Sequence, residues 1–284
     1  MNKIQGGNIY EIAQRLSLDP NEIIDFSSSV NPLGVSKKAE KKLRESFSAI
    51  LRYPDTDCSE LTRALAQYHG LAEDQILAGA GSKEFIHAIA RVLKMQRALV
   101  ITPAFSEYEN ALESCPATAD CKVDYFETRE EDGFELNVGG LLFALTRGYD
   151  ALYLCNPNNP TGILTEREEL KKILAQAERE KVSFILDESF IDFEEEESLK
   201  RAAATSSRLI LLRSMTRFFA LPGLRVGYMI SNPEVIEKFR QKKEPGSVNA
   251  LAQIAAVESL RDTGYQSRTN KFIQQEREHL IQGL

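Results

Sequence analysis

Compact apolar runs separated by helix-length amphipathic runs constrain this chain more than any other feature. RALVITPA (97–104), DALYLCNP (150–157), VSFILDES (182–189) and RLILLRSM (208–215) are β-branched or leucine-rich and lack strict alternation. Strands covered on both faces of a parallel sheet read this way. RVGYMIS (225–231) reads as one more strand entering the same sheet. Between them, TEREELKKILAQAEREK (165–181) carries an apolar stripe at Leu170, Ile173, Leu174 and Ala177, and SKEFIHAIARVLK (82–94) repeats the pattern. Thr165 with Glu168 three residues on predicts a capping box at the start of the first of these helices. Strand–helix alternation implies an α/β fold with a large, doubly wound, mostly parallel sheet, and ligands at the carboxyl ends of its strands.

The chain ends are different in character. IDFSSSVNPLG (24–34) and LRYPD (51–55) are turn-rich, and segments of this kind wrap over another surface. The stretch from Asn249 to Leu284 is helical, with charges interleaved among Leu, Ile and Phe. We divide the chain into an N-terminal arm or small-domain segment (1–45), a large α/β domain (46–255) and the start of a small, truncated C-terminal domain (256–284).

Bulk composition narrows the function classes. A formal charge of -7 without a Lys/Arg block argues against nucleic acid, and no apolar run has the length of a membrane span. The N-terminus lacks the apolar core of a signal peptide, which implies a cytoplasmic protein. Cys58, Cys115, Cys121 and Cys155 form no CxxC pair and share no ligand spacing with His69, His87 or His279, so no metal site is expected.

Chemistry concentrates in loops at strand or helix ends. GAGSKEF (79–85) opens a helix whose free N–H groups suit an anion, although a tight turn explains it as well. CNPNNPTG (155–162) holds more amides than a turn needs. In LDESFIDF (186–193), Asp187 and Glu188 either serve a site, cap a helix or pair with a cation. RSMTRFFALPGLR (213–225) supplies Ser214, Thr216, Arg217 and Arg225, again suited to phosphate.

Taken in order, RYPD, the Gly-x-Gly-Ser-x-Glu loop, PAFSEY, NPNNPTG, DESFIDF and SMTxFFALPGLRVGY resemble the fold-type-I pyridoxal-phosphate enzymes. Specifically, the chain is similar to the branch containing threonine-phosphate decarboxylase, which makes the aminopropanol phosphate of the cobalamin side chain, and histidinol-phosphate aminotransferase. The resemblance runs from Gly6 to the C-terminus. Gln5-Gly6-Gly7-Asn8, DFSSSVNPLG, Phe190 and EPGSVNALAQ lean to the decarboxylase. It implies pyridoxal 5′-phosphate as cofactor and a small phosphorylated amino acid or amine as substrate. It also implies a homodimer.

The same resemblance implies roles. Asp187 would bind the pyridine nitrogen and Asn159 the phenolic oxygen; Phe105 would stack on the ring with Tyr108 near it. Gly81, Ser82, Lys83, Ser214 and Arg225 would hold the phosphate, Tyr53 would reach the neighbouring subunit's phosphate, and Asn31 would lie near substrate. Structural readings stand beside these: core packing for Phe105 and Tyr108, a turn for Asn31, packing within its own chain for Tyr53.

Two departures matter. The family's Schiff-base lysine position is Arg217, and no lysine lies between Lys200 and Lys238. A guanidinium stays protonated and its lone pairs are delocalised, so it is a very poor nucleophile towards an aldehyde. Impaired catalysis is therefore expected, with cofactor held without a covalent link or absent, while Arg217 keeps a charge able to pair with an anion. Rival readings are an active enzyme using Lys83 and a non-catalytic remnant paired with an intact paralogue. The second departure is length: relatives continue into a small domain, which predicts an uncovered apolar surface here.

Overall fold

The computed structural model describes residues 8–284. Of the Gln5–Asn8 motif, only Asn8 falls within them. A seven-stranded sheet runs through the centre in the order β1-β7-β6-β5-β4-β2-β3. The strands are β1 (Ile76–Gly79), β2 (Arg97–Thr102), β3 (Lys122–Glu127), β4 (Ala151–Cys155), β5 (Ser183–Asp187), β6 (Leu209–Ser214) and β7 (Gly227–Ile230). β2–β6 pair in parallel wherever they are neighbours, whereas β7 runs antiparallel to both β6 and β1. β1 therefore points the same way as β6, and the ends of β1, β2, β4, β5 and β6 share one edge.

The helices are α1 (Ile9–Leu16), α2 (Lys37–Glu45), α3 (Ser59–His69), α4 (Ser82–Leu93), α5 (Glu107–Ser114), α6 (Val138–Leu145), α7 (Arg167–Glu180), α8 (Lys200–Ala203), α9 (Pro233–Arg240), α10 (Ala250–Arg261) and α11 (Thr263–Gly283). Alternate residues of each buried strand feed two separate cores. Leu152, Leu154, Phe184 and Leu186 pack with α3, α6, α7 and α10. Ala151, Tyr153, Ile185 and Ile210 pack with α4, α5 and α9. A sheet covered on both faces has no use for polar alternation, which is why its strands read as continuous apolar runs.

The expected stripe of α7 is buried, but its expected capping box does not form. Glu166 is the N-cap and makes no side-chain cap bond. Thr165 is instead claimed by the fully buried Asn156, which accepts from its N–H at 2.7 Å and donates to its carbonyl at 3.0 Å. That pair holds Thr165 short of the helix.

Residues 24–34 are irregular as expected. Asn31 pins them down: its amide donates to the Phe218 carbonyl, Tyr265 Oη and Thr269 Oγ1 at 2.8–2.9 Å. α10 packs on α2 and α3 and passes residues 255–256 without a break. α11 buries only Tyr265 and Thr269. Its exposed outer half carries Leu280, Ile281 and Leu284 among Gln, Glu, Arg and His. No helix among the described residues is long and apolar enough to cross a membrane.

Candidate active site

The carboxyl ends of β2, β4, β5 and β6, with the N-terminus of α4, enclose a cleft of about 500 Å³. The chain runs outward from β2 to β3 on one side and from β4 to β6 on the other. The cleft therefore sits where strand order reverses, the place in such sheets where loops diverge and leave a crevice.

Asp187 ends β5 and is buried at one end of this cleft. Ser189 donates to its Oδ1 from both N (3.0 Å) and Oγ (2.5 Å), and Tyr108 Oη donates to Oδ2 at 2.9 Å. Burial nevertheless raises its pKa, outweighing those bonds and the nearby charge of Arg217. A carboxylate so placed gains from a cationic N–H arriving on its open side.

An anion cradle forms another part of the cleft, its Ser82 Oγ 3.3 Å from Ser189 Oγ. Gly81 leads into α4 with φ +89°, a conformation open to glycine. A Cβ there would lie 2.8 Å from Arg225 Nη2, so the Arg225 guanidinium rests directly against Gly81. Gly227 makes a second close approach: a Cβ on it would meet Ser82 N at 2.6 Å, Arg213 O at 2.7 Å and Gly81 C at 2.8 Å. The bare β7 backbone thus supports the cradle. Ser82 lines it, as do Ser214 and Thr216, whose hydroxyls are 2.8 Å apart. The free N–H groups of a helix start, three hydroxyls and a guanidinium match a phosphate.

The β4 loop separates its amides by task. Asn156 holds Thr165, and Asn158 donates to the Pro103 carbonyl and Thr161 Oγ1. Asn159 lines the cleft with no side-chain partner among the described residues. Across from it, Phe105 stands edge-on to Tyr108, ring centroids 5.9 Å apart. Cys155 also lines the cleft, its thiol pushed up by burial and by Asp187.

Arg217 lines the same cleft. Its guanidinium makes no hydrogen bond and no ion pair among the described residues and lies 5.3 Å from the Phe190 ring. Burial, then Arg225, lowers its pKa, with Asp187 opposing. Lys83 lines the cleft too, but its ammonium is held 2.7 Å from the buried Glu107.

Three residues singled out from the sequence lie elsewhere. Asn31 is 3% exposed and has its amide engaged as described above. Tyr53 is 99% exposed, beside a shallow groove formed with Pro54, Gln253 and Ile254. Glu188 faces away from the cleft, where it pairs with the fully buried Arg213 (3.0 Å) and accepts from Leu199 N, ahead of α8. Sequence reading missed that centre, in which Asp192, Glu195 and His69 also take part. It also missed Ser27, Ser106 and Ser189 in the cleft wall. Ser189 alone carried a signal, being next but one to Asp187 in the same loop.

Comparison with known proteins agrees with the geometry. The chain is 39% identical to threonine-phosphate decarboxylase of Salmonella typhimurium over 285 residues, covering 100% of this chain and 77% of that protein. In structure it is similar to the histidinol-phosphate aminotransferase of Clostridium acetobutylicum, with TM-score 0.82 and 30% identity over 92% of this chain and 76% of that one. It is likewise similar to L-threonine-O-3-phosphate decarboxylase of Porphyromonas gingivalis, with TM-score 0.79 and 28% identity over the same shares. The model of the aminotransferase class I and II family matches residues 21–284, and the chain belongs to that family.

Proposed function

We propose that this chain binds pyridoxal 5′-phosphate and is of the threonine-phosphate decarboxylase type, with its own turnover suppressed at Arg217. The observation that carries the reading is the cleft itself, which brings together a buried, under-compensated carboxylate, an anion cradle and an arginine. The donor set fits the cofactor at both ends and fails to fit its covalent attachment.

In this reading Asp187 keeps a proton on the ring nitrogen, held in place by Ser189 and Tyr108. The α4 N-terminus, Ser82, Ser214 and Arg225 take the phosphate. Asn159 donates to the phenolic oxygen, and Phe105 excludes water from one ring face. Bound there, the cofactor supplies an electron sink for a bond broken at the substrate's α-carbon. Arg217 neither attacks a carbonyl carbon nor takes a proton near neutral pH. Lys83 is the primary amine available in the cleft wall, and its tie to Glu107 favours a charge-pairing task over nucleophilic attack. The exposed Tyr53 is assigned to the cleft of a second copy in a cytoplasmic homodimer.

The decarboxylase is preferred over the aminotransferase on the 39% identity and on Phe190, at a place where the aminotransferases usually keep a tyrosine. Arg217→Lys protein loaded with cofactor tests the choice. Release of CO2 from L-threonine O-3-phosphate is expected; transamination of histidinol phosphate to a supplied 2-oxo acid, with no CO2 from L-threonine O-3-phosphate, contradicts it.

A further inference from the structure

Arg217 has five N–H donors and, among the described residues, uses none of them in a hydrogen bond or ion pair; its one ring contact is with Phe190. Its surroundings leave the charge in excess. Burial works against it, Arg225 repels it, and Asp187 offers only partial compensation. That compensation is shared once Asp187 takes a ring N–H. Lys83, a third cation of the cleft beside Arg225, is paired with Glu107. The cradle at Gly81, Ser82 and Arg225 accounts for one phosphate, and the Arg217 guanidinium is bonded to none of these three residues. A half-buried cation in this position is relieved by an anion closer than Asp187, and none of the described residues pairs with it.

We propose that Arg217 is the receptor for a second anionic group, the carboxylate of an amino acid joined through its amine to the cofactor. The cleft therefore takes the ready-made cofactor–amino acid conjugate in preference to the cofactor alone. The proposal rests on the reading of the cleft as a pyridoxal 5′-phosphate site. It adds a ligand class: molecules bearing a ring phosphate at one end and a carboxylate at the other. The planar fork of the guanidinium donates to both carboxylate oxygens at once, with Phe190 limiting its swing.

Stable reduced conjugates test this without turnover. Isothermal titration of the full chain would compare pyridoxamine 5′-phosphate, N-(5′-phosphopyridoxyl)ethylamine and N-(5′-phosphopyridoxyl)-L-alanine, the last two differing in the carboxylate. The alanine conjugate is expected to bind about tenfold tighter than the ethylamine conjugate, the weight of one charge-assisted contact. The ratio should shrink in high salt, fall to near unity in Arg217→Met and persist in Arg217→Lys. Equal affinities in the unaltered chain overturn the proposal, as does a preference that survives Arg217→Met. If Arg217→Met does not fold, Arg217→Gln takes its place and is read the same way. Failure of all three ligands, pyridoxamine 5′-phosphate included, removes the cofactor reading along with the proposal. Binding of pyridoxamine 5′-phosphate with no carboxylate preference removes the proposal alone.

Discussion

Replacing Gly227 with alanine probes the link between sheet packing and ligand binding. The added methyl would sit 2.6–2.8 Å from Ser82 N, Gly81 C and Arg213 O, all backbone atoms. Ordinary contact begins at 3.4 Å, so the cradle or β6 must retreat by about 0.8 Å. β6 is held in the ladder by β5 and β7, which leaves the Gly81–Ser82 turn to move. A hydrogen bond of about 2.9 Å lengthened by that amount is lost. One charge-assisted bond to phosphate is worth about 1.5–3 kcal/mol, so pyridoxamine 5′-phosphate should bind roughly 10- to 100-fold more weakly. Overpacking adds a stability cost of about 2 kcal/mol, or roughly 6 °C in melting temperature. Gly223→Ala is the control, since nothing lies within 4 Å of the new methyl. Titration calorimetry and a thermal melt read both effects. A Gly227→Ala protein that binds and melts like the unaltered chain refutes the support assigned to β7.

Asn31→Ala separates a structural task from a substrate contact. Loss of its bonds to Phe218, Tyr265 and Thr269 should cost about 2–3 kcal/mol in urea unfolding while leaving pyridoxamine 5′-phosphate affinity within about twofold; the opposite pattern restores a ligand role. His69 gives a pH signature. It is buried 2.8 Å from Tyr228 Oη, and burial lowers its pKa to about 4 despite Glu195. Below the ordinary value near 6.5 the unfolded chain takes the proton first, so stability present above pH 6.5 is lost as pH falls towards 4. The stability difference between the unaltered chain and His69→Gln should therefore shift by about 2 kcal/mol against the unaltered chain between pH 7 and pH 4.5. A difference that stays constant over that range contradicts the buried neutral imidazole.

The strands with an unbroken apolar run, β2, β4, β5 and β6, were legible because burial on both faces leaves only one kind of residue to use. β3 was not, since the edge strand KVDYFE mixes three charged residues with Val123, Tyr125 and Phe126 and has one neighbour. β1 is four residues long and ends in the glycine of the anion loop, so its apolar signal is brief. Site chemistry was legible where a loop stays local, as at Asp187 and Asn159. It failed where partners are distant in sequence. Arg213 gathers Glu188, Asp192 and Glu195 only because β5 and β6 pair in register. Its charge is kept, despite burial, by the carboxylates around it, Glu188 foremost. Asn31 likewise meets Tyr265 and Thr269 across 234 and 238 residues. Thr165 misled because the capping motif is local whereas Asn156, which overrides it, belongs to the preceding loop.

Covalent capture of the cofactor is the most direct test of the central claim. The chain and its Arg217→Lys form would be saturated with pyridoxal 5′-phosphate, reduced with borohydride and mapped by mass spectrometry. Saturable binding with no stoichiometric adduct in the unaltered chain, and one adduct at position 217 in Arg217→Lys, is the expected result. A stoichiometric adduct at Lys83, or at any other residue of the unaltered chain, contradicts it.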